Sequence, residues 1–153
     1  MRLRQFPDQQ TFRELFDRHN VVPLCREILA DMDTPVTVLK KIYADEGPAF
    51  LFESVEGGER WGRYSFLSVS ARTHIRIYKD RIDIEKNRHC ETIRHPNDPF
   101  PILREFMNRY QPAVLPDLPR FWGGLVGYLT YEAVSFFENI PHCLNEEKPL
   151  AHF

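Results

Sequence analysis

Three stretches of the chain carry apolar residues three or four positions apart, the spacing that places them on one face of a helix. Each opens with a residue that can cap a helix, and in two of them proline follows at the first helical position. The opening motifs are Thr11-Phe-Arg-Glu14, Thr34-Pro35 and Asp98-Pro99. The apolar faces are Phe12, Leu15 and Phe16; Val36, Leu39 and Tyr43; and Ile102, Leu103, Phe106 and Tyr110. We therefore predict three amphipathic helices.

Alternation of apolar and polar residues predicts strands between these helices. In residues 74–85, Ile75 and Ile77 precede a Lys-Asp-Arg break, and Ile82 and Ile84 follow it. This pattern is typical of an antiparallel hairpin with one solvated face. Residues 49–55 and 63–70 predict two neighbouring strands separated by a Gly-Gly turn, and residues 21–29 are expected to be extended.

The C-terminal third has less regular patterning. Residues 121–130 are apolar with three glycines and predict a buried strand in which glycine permits a bulge or close approach of a neighbouring backbone. Residues 133–138 predict the start of a helix. The tail, residues 145–153, is polar and is expected to add no closing element. Because it stops in apolar residues, we expect the chain to be a fragment of a longer protein.

Hairpins with interspersed helices predict the α+β class. We expect mainly antiparallel sheets packed as a sandwich-like core, with the helices outside it. A parallel, doubly wound sheet is not expected, because strands and helices do not alternate regularly along the chain.

Composition excludes several classes of protein. The 153 residues are 42% hydrophobic and 27% charged, as in a globular protein. A net charge of −2 gives no field to hold a nucleic acid or an anionic membrane surface. Three cysteines without a Cys-x-x-Cys pair indicate neither a disulfide framework nor a zinc site. This use of cysteine predicts a reducing, cytoplasmic protein, and with no apolar run of bilayer length we expect no membrane anchor.

Catalytic and metal-binding residue types form no recognisable set. The six histidines lack the i, i+4 spacing that places two ligands on one helix face. Gly123-Gly-Leu-Val-Gly127 lacks the Lys-Ser/Thr that follows in a phosphate-binding loop, so packing is the simpler role of these glycines. No catalytic triad or carboxylate pair is evident. We assign no catalytic residue and no metal ligand to this chain.

Glu53 and Ser54 close an apolar strand just before the Gly-Gly turn. A carboxylate and a hydroxyl at the rim of the core can meet a small zwitterion, which needs an acceptor for its ammonium group and donors for its carboxylate. Arg60, Arg63 and Arg104 are candidate donors, although such arginines usually form a solvated face. The residues alone favour the simpler interpretation, a strand that runs out into a polar turn.

Three ordered segments resemble a known family. They are VPLCREILAD at residues 22–31, FLFESVEGGERWGRYSFL at residues 50–67 and GGLVGYLTYEAV at residues 123–134. Together they resemble the N-terminal region of anthranilate synthase component I, over residues 12–141. The glycine-rich segment alone is shared with 4-amino-4-deoxychorismate synthase, whereas the ESVEGGER block favours the tryptophan-pathway enzyme.

The resemblance implies a regulatory site. Glu53 and Ser54 match the family's Leu-Leu-Glu-Ser motif, which belongs to the feedback site for L-tryptophan. Phe52 stands where the family usually has leucine and keeps that position apolar. By the same resemblance, residues 1–153 are the N-terminal regulatory domain, and the C-terminal half that binds chorismate and carries the catalytic residues is absent.

The resemblance also implies what the complete protein does. Anthranilate synthase is a lyase that converts chorismate and ammonia to anthranilate and pyruvate. A separate glutamine amidotransferase subunit, component II, releases the ammonia from glutamine. Mg²⁺ is the cofactor of the complete enzyme, with none expected on this part. We expect this chain alone to be inactive.

Two other functions stay open from the sequence. One is 4-amino-4-deoxychorismate synthase component I, of the folate pathway. The other is a stand-alone, non-catalytic module that binds an amino acid or another protein. A reading frame that continues past Phe153 into a chorismate-binding half would favour the enzyme.

Overall fold

A computed structural model describes residues 3–44, 47–53, 64–140 and 148–153. The chain forms two compact units, one combining Met1–Glu27 with His74–Phe153 and the other formed by Ile28–Thr73. The strands of the described residues are β1 (Gln5–Phe6), β2 (Cys25–Arg26), β3 (Phe50–Glu53), β4 (Ser65–Ser68), β5 (Thr73–Ile77), β6 (Arg81–Lys86), β7 (His89–Arg94), β8 (Tyr128–Leu129) and β9 (Ala151–His152). The helices are α1 (Gln9–Phe16), α2 (Pro35–Ile42) and α3 (Phe100–Asn108), with a 3₁₀ helix at Tyr131–Phe136.

A five-stranded antiparallel sheet organises the larger unit, with the strand order β7-β6-β5-β9-β8. Alternation along β5 and β6 directs four isoleucines to one face, where α3 packs on them. The fully or nearly buried core comprises Ile75, Ile77, Ile82, Ile84, Leu103, Phe106 and Ala151. The predicted α+β class, the antiparallel pairing and the alternation of residues 74–85 are therefore confirmed.

The hairpin between β6 and β7 has a two-residue turn at Asn87 and Arg88, whose φ angles are 52° and 64°. Two consecutive residues with positive φ form a turn whose twist matches that of the flanking strands. The turn fixes the register, which pairs Lys86 with His89. Sequence patterning missed β7, because its residues are mostly polar and exposed.

The chain's last residues form a central strand, so the expectation that the tail adds no closing element is wrong. Strand β9 lies between β5 and β8. The backbones of Ile75 and Phe153 exchange hydrogen bonds of 2.6 and 2.8 Å. Leu150 and Ala151 are buried, at 4% and 0% exposure. A strand this short carries too few residues to show a period, which is why the pattern did not reveal it.

Residues 121–130 do not form the predicted buried strand. Only Tyr128–Leu129 is a strand, and both side chains are at least half exposed. Gly127 nevertheless serves the predicted close approach, because a Cβ there would overlap the His152 carbonyl oxygen and lie 2.7 Å from the Cα of Phe153. The helix predicted at residues 133–138 is the 3₁₀ helix, which begins two residues earlier.

The three predicted α-helices are present, with corrections at two starts. Helix α3 begins at Phe100, and its N-cap is Pro99 rather than the predicted Asp98. Helix α1 begins at Gln9 because Asp8, not Thr11, is its N-cap. The Asp8 carboxylate accepts a hydrogen bond of 2.9 Å from the Thr11 backbone N–H, and this bond lowers the pKa of Asp8. In the smaller unit, α2 packs against the antiparallel pair β3 and β4.

On the solvated face of the sheet, His152 lies opposite Arg76 of β5, and its ring centroid is 5.9 Å from that of His74. Burial lowers the pKa of His152 below its ordinary value of 6.5, and the charges of Arg76 and His74 lower it further. Arg76 also forms an ion pair of 3.0 Å with Glu85. Protonation of His152 thus adds a positive charge beside existing ones.

We predict that Gly127→Ala destabilises the protein by at least about 2 kcal/mol, because the added methyl overlaps backbone that cannot move without opening the pairing of β8 with β9. Gly123→Ala is the matched control, since a Cβ there meets nothing within 4 Å. Urea unfolding followed by circular dichroism measures both. Equal stability of the two variants would contradict the close approach.

We also predict that stability falls as the pH drops through 6.5, partly through His152. A group whose folded pKa is lowered binds its proton less readily than in the unfolded chain, so acid favours unfolding. The His152→Gln variant should lose less stability than the wild type between pH 7.5 and pH 5. His89→Gln, in the exposed hairpin, is the control. Parallel pH curves for wild type and His152→Gln would show that His152 contributes nothing.

Candidate functional site

The candidate ligand site begins at the end of β3 in the smaller unit. Glu53 is the last residue of this strand and lies opposite Ser65 of β4. Its carboxylate is exposed and has no ion-pair partner among the described residues. Ser54, the second predicted site residue, and the Gly-Gly turn lie outside the described residues. Glu53 is thus available to accept a ligand's ammonium group.

The two faces of the β3–β4 pair differ in character. Glu53 shares its face with Leu51 and with the paired residues Leu67 and Ser65, because paired residues and residues two apart point the same way. This face combines a carboxylate, a hydroxyl and aliphatic surface. An amphipathic ligand can place its apolar part on the leucines and its ammonium group at Glu53.

The opposite face of the same pair is aromatic. The rings of Phe50 and Phe52 have centroids 5.3 Å apart, and those of Tyr64 and Phe66 are 6.2 Å apart. Phe52 is 49% exposed and Tyr64 is 50% exposed. Phe52, which replaces the family's usual leucine, therefore presents an aromatic surface on the face away from Glu53.

Helix α2 supports the strand that carries Glu53, and its start is well capped. The Thr34 hydroxyl accepts a hydrogen bond of 3.2 Å from the Thr37 backbone N–H, and the Thr34 N–H donates to the Thr37 hydroxyl at 2.8 Å. Asp33 adds an ion pair of 2.6 Å with Lys41. Hydrogen bonds from Lys41 and Thr37 lower the pKa of Asp33. The predicted Thr34-Pro35 helix start is confirmed.

Three arginines were predicted as hydrogen-bond donors to the ligand's carboxylate, and the structure describes only one of them. Arg60 and Arg63 lie outside the described residues, and Arg104 is an exposed residue of α3 in the larger unit. Of the predicted site, the structure therefore describes the Glu53 carboxylate and the aliphatic residues on the same face. The remaining donors stay a prediction.

One buried polar side chain was not singled out by the sequence. His95 is 5% exposed, and its Nε2 lies 3.1 Å from the Tyr78 carbonyl oxygen, which makes Nε2 the protonated nitrogen. Its Nδ1 has no hydrogen-bond partner in the described part of the chain. The ring packs edge-on against Phe136. This arrangement joins the end of β7 to the 3₁₀ helix and suggests packing rather than catalysis.

No three His, Cys, Asp or Glu side chains in residues 3–44, 47–53, 64–140 and 148–153 are grouped so that they can hold a metal ion. Over the same residues, no helix has both the length and the apolar character that crossing a membrane requires.

The chain is similar over most of its length to proteins named anthranilate synthase component 1. The relative from Pseudomonas aeruginosa is 43% identical over 131 residues, which are 85% of this chain and 26% of the relative. The relative from Neisseria meningitidis serogroup B is 40% identical over 126 residues, 82% of this chain and 25% of the relative. The predicted resemblance to anthranilate synthase component 1 is confirmed.

A more distant anthranilate synthase component 1, from Acetivibrio thermocellus, is 33% identical over 150 residues, 97% of this chain and 30% of the relative. The matched part of these relatives is their N-terminal region. The chain spans about a quarter of the length of the first two relatives. No protein-family model matches it.

We predict that Thr34→Ala lowers the free energy of unfolding by about 1 kcal/mol, because the N-terminal turn of α2, the helix that packs on β3, loses its cap. The unfolding midpoint should fall by about 2–4 °C. Lys40→Ala, an exposed change in the same helix, is the control. Calorimetry measures both variants, and an unchanged midpoint in Thr34→Ala would contradict the role of the cap.

Proposed function

We propose that this chain is the N-terminal, regulatory part of an anthranilate synthase component 1. The names of the relatives and the match over 85% of the chain to the P. aeruginosa protein support this proposal. The complete enzyme converts chorismate and ammonia to anthranilate, pyruvate and water. We place the catalytic residues in the part of the complete enzyme that this chain does not match, because the matched region is only about a quarter of the length of the relatives.

The regulatory ligand is L-tryptophan, bound at Glu53 and Ser54. The observation that carries this assignment is the match of residues 51–54 to the family motif, together with the position of the Glu53 carboxylate on a face shared with Leu51 and Leu67. The carboxylate accepts the ligand's ammonium group, and the leucines contact the indole. An indole N–H or ammonium group left unpaired on binding would cost about 1–3 kcal/mol, so both need fixed partners.

Two further components belong to the complete enzyme. Component II, a glutamine amidotransferase, supplies ammonia. Mg²⁺ is the proposed cofactor of the complete enzyme, and we assign none of its ligands to this chain. The protein works in the cytoplasm, where a biosynthetic enzyme with free cysteines is expected.

A second candidate is 4-amino-4-deoxychorismate synthase component I. The names of the curated relatives favour anthranilate synthase, as does the ESVEGGER block at residues 53–60. Product analysis separates the two enzymes, since only one forms fluorescent anthranilate.

The test replaces the aligned N-terminal part of the P. aeruginosa relative with this chain. We expect the chimera to form anthranilate from chorismate, Mg²⁺ and ammonia, and to be inhibited by L-tryptophan. Ser54→Phe and Glu53→Gln should each raise the tryptophan concentration for half-inhibition at least about tenfold, because each removes a polar partner of the ligand. This chain alone should produce no anthranilate.

Ser70→Phe, an exposed substitution in the same unit, is the control and should leave inhibition unchanged. Calorimetric titration of this chain with L-tryptophan gives a second measurement if the chimera does not fold. Normal activity with unchanged inhibition in both site variants would refute the regulatory assignment. Formation of 4-amino-4-deoxychorismate would refute the enzyme assignment.

A further inference from the structure

A cleft of about 530 Å³ lies in the larger unit, at the tip of the β6–β7 hairpin. The register places four of its residues on one face as two facing pairs, Lys86 with His89 and Ile84 with Glu91. Side chains in such pairs are about 5 Å apart, and those two positions along a strand are about 7 Å apart. The four side chains therefore form a compact array, with the Lys86 ammonium group at the tip and the Glu91 carboxylate behind it.

The other wall of the cleft is the C-terminal end of α3 and the residues that follow it. Phe106, Arg109 and Tyr110 have the i, i+3, i+4 spacing of one helical stripe. Phe106 is buried and packs edge-on against Tyr110, with ring centroids 5.6 Å apart. This wall supplies an aromatic surface and a second cation.

The position of this wall is fixed by Asn20. Its side-chain amide donates a hydrogen bond of 2.6 Å to the Arg109 carbonyl oxygen and accepts one of 2.6 Å from the Gln111 backbone N–H. The adjacent Ala113 N–H bonds the Val21 carbonyl oxygen at 2.8 Å. Hydrogen bonds to Asn20 and Val21 therefore hold the α3 wall, and the β6–β7 pairing holds the hairpin wall, so the cleft is largely preformed, as in small-molecule sites.

The charges of the cleft are not neutralised by one another. Within the described residues, Lys86 and Glu91 have no ion-pair partner, although they lie diagonally across the hairpin. Arg109 has only an exposed pair of 3.5 Å with Glu105. The cleft thus holds a cation and an anion apart beside an aromatic surface. A matching ligand carries an ammonium group, a carboxylate and an apolar group on one carbon atom.

We infer that this cleft binds a free α-amino acid with an aromatic or branched apolar side chain. The ligand's carboxylate binds Lys86 and Arg109, and its ammonium group binds Glu91. Its side chain packs on Phe106 and Tyr110. The residues of this cleft all belong to the larger unit, whereas Glu53 belongs to the smaller one, and the inference does not depend on the proposed enzymatic function.

The test titrates this chain, labelled with ¹⁵N, with L-phenylalanine and follows the backbone amides of residues 84–91 by NMR. Two analogues dissect the ligand: 3-phenylpropionate lacks the ammonium group and phenethylamine lacks the carboxylate. We expect L-phenylalanine to shift these amides saturably and to bind more tightly than either analogue.

Glu91→Gln should weaken L-phenylalanine binding about tenfold and leave 3-phenylpropionate binding within about twofold, since only the amino acid uses the carboxylate. Lys86→Met should weaken both carboxylate ligands. Glu14→Gln and Lys40→Met are matched controls outside the cleft. Ser54→Phe should leave these shifts unchanged, which separates this site from the proposed tryptophan site.

Three results would overturn the inference. The first is no saturable shift at residues 84–91. The second is equal binding of L-phenylalanine and 3-phenylpropionate, which would mean that the cleft takes carboxylates and not amino acids. The third is L-phenylalanine binding that is the same in Glu91→Gln, Lys86→Met and the wild type.

Discussion

The larger unit depends on the pairing of β9 between β5 and β8. Residues 151–152 hydrogen-bond with residues more than seventy positions away in β5, and they also hold β8, which has no other partner in the described sheet. Without β9, the edge of β5 and the core position of Ala151 would face solvent. Closing so long a loop costs conformational entropy before any contact forms, so this pairing is expected to form late in folding.

Sequence patterning predicted the elements whose contacts are local. The three α-helices show an apolar period over two turns and a capping residue, and the alternation in residues 74–85 shows both faces of the sheet. The same reasoning missed β7 and β9, for different physical reasons. Strand β7 is polar because it lies at the sheet's edge, and β9 is two residues long. Their positions are set by partners distant in sequence, which periodicity does not report.

The two candidate sites show the same difference between local and long-range information. Glu53 was found because the residues around it match a family motif, and its carboxylate lies at a strand end as expected. The cleft at the hairpin tip was not found, because its residues come from three separate segments, around positions 20, 84–91 and 106–110. Each looks like ordinary surface in the sequence. The strand register and the Asn20 hydrogen bonds bring them to one place.

One position of the glycine-rich segment that helped to reveal the family is explained by packing. Gly127 lies where the chain passes against the backbone of His152 and Phe153, and a side chain there would occupy the space of that backbone. By contrast, Gly123 faces open space. One glycine of the motif is thus required by the closure of the sheet, and this requirement does not involve a nucleotide or any other ligand. A family signature can therefore report a folding constraint, even where the proposed regulatory chemistry belongs to other residues.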